Sequence, residues 1–259
     1  MEQVIDLPTG EVGVTIRGDG PPVVVFPRDV IPPTPNPFLE RLEDQHTVYV
    51  VDLPGFGRSP RPPWLRTVTQ LATLGGHAIE HLGLPPCALV GMGFGGWVAA
   101  DLATQAPGRF EALVLASPWG VKPTSGEIAD FVLFDLAEWA ARGFHDPDRY
   151  TASCGDDVEF DVLRSWDNAR ESVMAVAWKP IGHSRPLAQM LSLLRTPTLI
   201  AWGAEDQIVP ATCASDWASA LPNCETVVFP EAGHQVDVEA PERLAEAAMK
   251  FIRNNEETR

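Results

Sequence analysis

The chain has 259 residues, of which 45% are hydrophobic and 21% are charged, as is ordinary for a globular protein. This length fits one large α/β domain with an inserted subdomain. The formal net charge of -16 argues against nucleic acids and anionic membranes as partners, because both are polyanions.

Short β-branched runs alternate with helical patterns along the chain, which is typical of a mostly parallel sheet with helices on both faces. The predicted strands are residues 12–16, 23–26, 47–51, 88–90, 113–116, 198–201 and 226–229. The predicted helices are residues 38–43, 68–82, 97–105, 211–220 and 241–253. This order of elements predicts an α/β fold.

Between residues 117 and 195 the alternation stops, and only helical patterns follow, at 126–142, 165–177 and 186–194. A helical excursion between two strands predicts a cap over one edge of the sheet. The segment also carries four tryptophans, Trp119, Trp139, Trp166 and Trp178. Each is expected to pack within the cap, and together they predict an apolar, aromatic roof.

The N-terminal residues lack a basic region followed by an apolar run, so no secretory signal is expected. No apolar stretch approaches the roughly 20 residues of a membrane-spanning helix. The four cysteines form no Cys-x-x-Cys pair, which favours reduced thiols and a cytoplasmic location.

Residues 88–97 (ALVGMGFGGW) read as a strand, a tight glycine turn and a helix. In such a turn the central residue adopts a strained conformation that exposes its side chain, and small residues must flank it. Gly91 and Gly95 are the small neighbours, and Gly93 stands at the centre. Glycine offers no oxygen, sulfur or carboxylate, so an acyl-enzyme on residue 93 is excluded.

Four motifs resemble the α/β-hydrolase superfamily in their order along nearly the whole chain. They are DLPGFGRS at 52–59, GMGFG at 91–95, WGAEDQIVP at 202–210 and EAGH at 231–234. The resemblance implies an α/β-hydrolase fold, with a mostly parallel central sheet in a core at 1–118 and 193–259. It also implies an inserted helical cap at 119–192. It assigns the triad acid to Asp206 and the triad histidine to His234.

Two departures from the family pattern coincide. Gly93 stands at the nucleophile position, and Pro27-Arg28 stands where relatives usually have His-Gly. Pro27 has no N–H, so the remaining oxyanion donors are the backbone N–H groups of Phe94 and Asp29. The Asp29 carboxylate would repel an oxyanion, and losing one donor costs about 10²–10³ in rate. Hydrolysis by the family's usual route is therefore compromised twice.

The other two members of the triad, the acid Asp206 and the base His234, are present. In the triad logic the carboxylate fixes the imidazole tautomer and leaves Nε2 free to accept a proton. We expect space for one water beside Nε2, where a serine side chain is missing. We therefore hypothesise that His234, oriented by Asp206, is a general base acting on a bound water or on a substrate C–H or O–H. The alternative is a purely structural His234–Asp206 pair.

A substrate pocket is expected at the C-terminal ends of the strands, under the cap. The candidate substrate-binding residues are Pro27, Arg28, Met92 and Trp119. Arg28 could hold a substrate carboxylate through two N–H groups. The favoured alternative is that Arg28 pairs with Asp29 or with a cap carboxylate on a partly solvated rim.

The best functional hypothesis is a cofactor-free enzyme without a metal, acting on a small, largely apolar substrate. Elimination, C–C cleavage, cyclisation and water-assisted hydrolysis are the candidate reactions, and fold alone does not choose among them. The rival is a catalytically silent hydrolase-like protein that binds a small ligand. A third alternative is that Gly93 was introduced to trap a substrate, although Pro27-Arg28 favours a natural departure.

Other motifs offer weaker alternatives. Residues 91–96 match Gly-x-Gly-x-x-Gly, but the acidic residue of an NAD site about 20 positions further on is missing. Residues 77–81 match His-x-x-Glu-His, for which a solvated helix end is favoured over a metal site. Cys154 is not expected to be a nucleophile, because the neighbouring Asp156 and Asp157 would raise the pKa of its thiol. His145 and His183 are expected at the surface.

Overall fold

The computed structural model describes residues 1–256, and its centre is an eight-stranded sheet. The strands are β1 (Glu2–Leu7), β2 (Gly10–Arg17), β3 (Pro22–Phe26), β4 (Thr47–Val51), β5 (Cys87–Met92), β6 (Phe110–Ala116), β7 (Thr198–Gly203) and β8 (Cys224–Phe229). Their order is β1-β2-β4-β3-β5-β6-β7-β8. Only the β1–β2 and β2–β4 pairs are antiparallel, which confirms the predicted mostly parallel α/β sheet.

Ten α-helices within residues 1–256 surround this sheet. They are α1 (Pro37–Glu43), α2 (Val68–His81), α3 (Phe94–Gln105), α4 (Leu136–Arg142), α5 (Pro147–Cys154), α6 (Phe160–Ala177), α7 (Leu187–Leu191), α8 (Cys213–Ala220), α9 (Val236–Glu239) and α10 (Pro241–Glu256). A short 3₁₀ helix covers Phe131–Leu133. The predicted helices of the α/β part correspond to α1, α2, α3, α8 and α10.

Strand β3 shows how one strand packs against both layers of helices. Successive side chains of a strand point to opposite faces. Val23 and Val25 accordingly belong to one core cluster, which includes residues of α1 and α10. Val24 and Phe26 belong to the other cluster, with residues of α2 and α3. Burial on both faces explains why β5, in which all six residues are buried, is a continuous apolar run.

The segment between β6 and β7 contains the 3₁₀ helix and α4 to α7, but it differs from the prediction in two ways. The helix predicted at 126–142 forms only from Leu136, because Asp135 caps it in a reciprocal capping box with Glu138. Trp119, Trp139 and Trp166 are buried, whereas Trp178 is 49% exposed. Trp178 follows the last residue of α6, so its predicted place in the aromatic roof is wrong.

Three elements have no counterpart among the predicted ones: β1 at the sheet edge, α5 and the one-turn helix α9. In the part of the chain that the structure describes, no helix is both long enough and apolar enough to cross a membrane. All four cysteines carry free thiols.

Candidate active site

The ends of β7 and β8 bring an aspartate and a histidine together. Asp206 lies three residues beyond β7, and the Nδ1 atom of His234 lies 2.8 Å from Asp206 Oδ2. The other carboxylate oxygen, Oδ1, accepts the backbone N–H groups of Ile208 and Val209 at 2.8 and 2.9 Å. A carboxylate only accepts hydrogen bonds, so in neutral His234 the proton is on Nδ1 and Nε2 is the acceptor. The sequence-predicted pair is therefore in contact.

The glycine turn between β5 and α3 has the positive φ that its sequence predicts, a conformation that would be strained for other residues. Gly93 has φ 53° and ψ -123°, a region that favours glycine. Its carbonyl accepts the backbone N–H groups of Gly96 and Trp119 at 3.0 and 3.2 Å, which tie the turn to the segment after β6. A side chain at Gly95 would collide with the carbonyl oxygens of Phe26 and Pro27. The strained turn is thus packed closely against the end of β3.

Three groups surround the point to which a side chain on residue 93 would project. A methyl group on Gly93 would lie 3.2 Å from His234 Nε2, 3.2 Å from Arg28 Nη1 and 3.1 Å from Arg28 Cβ. In protein structures, most contacts between a β-carbon and atoms of other residues are longer than 3.1–3.2 Å. The space directly over Gly93 is therefore largely filled by the Arg28 side chain.

Arg28 is buried at 2% exposure, and its position differs from the prediction. Its Nη2 group donates to Oδ1 of Asp237 in α9, and the Asn36 amide donates to the other oxygen at 2.6 Å. The expected partners, Asp29 or a cap carboxylate on a solvated rim, are thus wrong. Helix α9 begins two residues after His234, and its Asp237 carboxylate contacts the Arg28 guanidinium. Arg28 Nε and Nη1 have no hydrogen-bond partner within residues 1–256.

Trp119 closes the site from the side of the helical segment. Its indole Nε1 donates to His234 Nε2 at 3.3 Å. Its rings lie edge-on to those of Phe94 and Trp139, with centroids 6.2 and 6.1 Å apart. In this arrangement the acceptor atom of the histidine is covered by an aromatic donor. The contact is long for a hydrogen bond of this kind.

A small cavity of about 10 Å³ remains beside these groups. Its polar lining consists of Arg28, Asp29, His234 and Gln235, and Trp119 and Trp139 are among its apolar lining residues. This volume is about what one water molecule needs. Gly93 does not line the cavity, so the available space lies beside Arg28 and His234 rather than over the glycine.

Two predicted substrate-binding residues lie elsewhere. Met92 is the last residue of β5, and its side chain packs in the core cluster that includes residues of α1 and α10. Pro27 is buried with its carbonyl against Gly95, and it does not line the cavity. The predicted backbone donors take different positions: Asp29 lines the cavity, while Phe94 is the first residue of α3. The N–H of a first helical residue has no partner within its own helix.

Several residues of the site escaped prediction, namely Asn36, Gln235, Asp237 and Glu239. Glu239 accepts the backbone N–H of Gly233 at 2.6 Å and that of Asp146 at 2.8 Å. It therefore fixes the residue before His234 to the start of α5. The two acidic residues within the five positions after His234 were an available signal. The sequence held no comparable signal for Gln235.

The remaining motifs lie outside the site. Burial raises the pKa of the Cys154 thiol to about 11, so burial rather than the neighbouring aspartates is the cause. His77 is 60% exposed on α2 and pairs with Glu80 at 3.4 Å, as expected of a solvated helix end. His145 is exposed and His183 is half-buried. The match to Gly-x-Gly-x-x-Gly at residues 91–96 includes the first turn of α3. This turn is buried, and Gly96 lies against Pro118.

The chain is similar in sequence to a family of known proteins and to several individual members. A sequence model described as "Alpha/beta hydrolase family" matches residues 26–247. The chain is 30% identical over 210 residues to the dihydrolipoyllysine-residue acetyltransferase component of the acetoin cleaving system of Cupriavidus necator, covering 78% of this chain and 55% of that protein. It is 30% identical over 235 residues to the pimeloyl-[acyl-carrier protein] methyl ester esterase of Nitrosomonas europaea, covering 80% and 85% of the two chains.

The chain spans little more than half the length of the acetoin-system relatives that it matches. Among solved structures, a thermophilic esterase from Thermogutta terrifontis with malate bound is 25% identical. It superimposes with a TM-score of 0.76, covering 98% of this chain and 99% of the other. The eight-stranded sheet and its helices therefore match a known architecture over 98% of this chain.

Proposed function

This chain belongs to the alpha/beta hydrolase family, and we propose that it is an enzyme of that family whose turnover forms no acyl-enzyme on residue 93. His234 is the general base, and Asp206 orients it. The observation that carries the proposal is the 2.8 Å contact between His234 Nδ1 and Asp206 Oδ2, which leaves Nε2 as an acceptor toward Gly93 and Arg28. Residue 93 itself has no group that could attack a substrate.

The proposed substrate is small and largely apolar, and it binds under a helical cap at 119–192 on a core formed by 1–118 and 193–259. Trp119 and Trp139, which line the cavity on the cap side, support an apolar roof. No cofactor takes part in the proposed chemistry, and the proposed location is the cytoplasm. Hydrolysis, elimination, C–C cleavage and cyclisation are all reactions that a positioned base can promote. Two relatives named as esterases favour hydrolysis among them.

A catalytically silent binding protein is the second candidate, and one observation favours it. The indole of Trp119 donates to His234 Nε2, and the adjoining cavity has room for about one water only. A substrate can contact His234 Nε2 only if the Trp119 side chain moves or the hydrogen bond from Trp119 to Nε2 breaks. A protein that merely retains a ligand would tolerate this covered arrangement.

A panel of three probes separates the two candidates. p-Nitrophenyl acetate reports ester hydrolysis, acetylacetone reports C–C cleavage and mandelonitrile reports elimination. We expect wild-type protein to turn over at least one of them and His234→Ala to lose that activity. Intact mass after incubation with a fluorophosphonate should stay unchanged, because residue 93 has no nucleophile. Activity that His234→Ala retains, or a phosphonylated protein that has lost activity, would contradict the enzyme proposal. Absence of turnover on all three would favour the silent binder.

A further inference from the structure

The cavity beside His234 is bordered by buried polar atoms that lack partners. Arg28 Nε and Nη1 and Gln235 Oε1 have no hydrogen-bond partner within residues 1–256, and both side chains are 2% exposed. Both residues line the same cavity of about 10 Å³. Buried polar groups without partners reduce stability, so a pair of them at one cavity indicates a bound group that satisfies both.

The hydrogen-bonding character of the lining restricts that group. Arg28 offers only donors, whereas Gln235 offers an acceptor, because its amide nitrogen already donates to the Val30 carbonyl at 3.3 Å. The bound group must therefore accept from Arg28 and donate to Gln235. A carboxylate only accepts, and the Arg28 charge is already paired with Asp237. Asp29, which also lines the cavity, adds a negative charge that opposes an anion. A neutral hydroxyl-bearing group fits, and the volume suits one water.

We propose that this cavity binds a single water molecule that is the second reactant of the enzyme, and that Gln235 is its positioning residue. The water accepts from an Arg28 N–H and donates one hydrogen to Gln235 Oε1. Its second hydrogen points to His234 Nε2, displacing the 3.3 Å contact from Trp119. One lone pair then remains for an electrophilic carbon. The inference rests on the proposed function and selects the candidate reactions that consume water, which are hydrolysis and hydrolytic C–C cleavage, because elimination and cyclisation consume no water.

The reaction that follows balances without a cofactor. The water oxygen bonds to the acyl carbon of a substrate R–CO–X while its proton moves to His234 Nε2. The C–X bond then breaks, and Nε2 returns the proton to X. The products are R–COOH and HX. Asp206 stabilises the imidazolium that forms between the two steps, as in the triad logic. The substrate class is therefore a small acyl compound R–CO–X, in which X is bonded through oxygen in an ester and through carbon in a diketone.

The kinetic test compares Gln235→Leu with Gln45→Leu, a matched change at an exposed glutamine, on p-nitrophenyl acetate. Removing the acceptor should lower kcat about tenfold, the effect of one hydrogen bond, and leave KM unchanged. Gln235→Glu keeps an acceptor and should restore part of the loss. Turnover that depends on His234 but is unchanged in Gln235→Leu would overturn this inference and leave the proposed function intact. Turnover that His234→Ala retains would overturn both.

A second measurement needs no substrate. A crystal structure of the wild-type protein at high resolution should show one ordered water within about 2.6–3.2 Å of both an Arg28 nitrogen and Gln235 Oε1. In Gln235→Leu the same water should be lost or displaced. An empty cavity in the wild-type crystal, or a water bonded to neither side chain, would overturn the proposal.

Discussion

Arg28 lies directly against Gly93, so that a methyl group on the glycine would lie 3.1 Å from Arg28 Cβ and 3.2 Å from Nη1. We therefore expect that a serine introduced at this position would not act as a nucleophile. We predict that Gly93→Ser gains no activity on p-nitrophenyl acetate and reacts with no fluorophosphonate. It should also unfold more easily, by about 1–3 kcal/mol, because a positive φ is strained for serine. Urea denaturation and intact mass measure the two effects.

The matched control for this prediction removes the crowding side chain. In Gly93→Ser/Arg28→Ala/Asp237→Asn the serine has room, and no buried carboxylate is left without its cation. Fluorophosphonate labelling should appear in this triple variant only. Rapid labelling of Gly93→Ser by itself would show that Arg28 does not exclude a side chain on residue 93.

The buried pair of Arg28 and Asp237 should behave as one unit. Removing one partner leaves a buried charge without its counter-ion, which typically costs about 3–5 kcal/mol. Arg28→Met and Asp237→Leu should each destabilise strongly, and the double variant should lose clearly less than the sum. Urea unfolding of the four proteins gives the coupling energy.

An exposed pair in the same chain provides the comparison. Arg41 and Glu242 lie 3.3 Å apart with side chains 53% and 66% exposed. Their removal should change the free energy of unfolding by about 0–1 kcal/mol. Additive losses at Arg28 and Asp237, like those at the exposed pair, would refute the tight coupling inferred from burial.

Three buried thiols should react only at high pH. Burial raises the pKa of Cys87 to about 11, that of Cys154 to about 11 and that of Cys213 to about 12. The thiolate is the reactive form, and it appears only as the pH approaches the pKa. At pH 8 a thiol of pKa 11 is ionised to about one part in a thousand. Labelling by iodoacetamide, followed residue by residue by mass spectrometry, should therefore accelerate between pH 8 and 10.

Protein unfolded in guanidinium is the control for this prediction, and there all four cysteines should react at pH 8. Stoichiometric labelling of Cys154 in the folded protein at pH 8 would contradict the effect of burial. It would also reopen the possibility that Cys154 is a nucleophile.

The sequence predicted features that depend on local pattern. The tight turn at Gly93 followed from its neighbouring glycines, whereas the contact between His234 and Asp206 followed from the resemblance of two motifs to those of the α/β-hydrolase superfamily. The central strands were visible because burial on both faces demands an apolar run. Helix α9 has only four residues, too few for a periodic pattern. Strand β1 lies at the sheet edge, where half of its residues are exposed.

The contacts of Arg28 could not be predicted from the sequence. Its partner Asp237 is 209 positions away, and only the folded chain brings the loop after β3 and helix α9 together. The prediction for Arg28 relied on the usual exposure of arginine, which fails where a buried carboxylate compensates the charge. The cover of Trp119 over Nε2 likewise depends on how a long segment folds back over the sheet. Pairings of this kind carry no local signal.

Asp206 should matter through His234 rather than by touching a substrate. Asp206→Asn removes the acceptor that fixes the imidazole tautomer, and in triads such a change lowers kcat by about 10⁴. Because Asp206 acts through His234, we predict a loss of kcat that does not exceed the roughly 10²–10⁴-fold loss expected for His234→Ala, with little change in KM. The protein should remain folded, because asparagine can still accept the N–H groups of Ile208 and Val209. A fall in KM alone, or normal kcat, would contradict the orienting role.

The steady-state kcat of His234→Ala, measured beside wild type on whichever probe the wild-type protein turns over, tests the role of His234 most directly. A positioned base contributes about 10²–10⁴ in rate, so kcat should fall by that factor while the unfolding midpoint stays close to that of wild type. A folded His234→Ala variant with the kcat of wild type would show that the imidazole is structural.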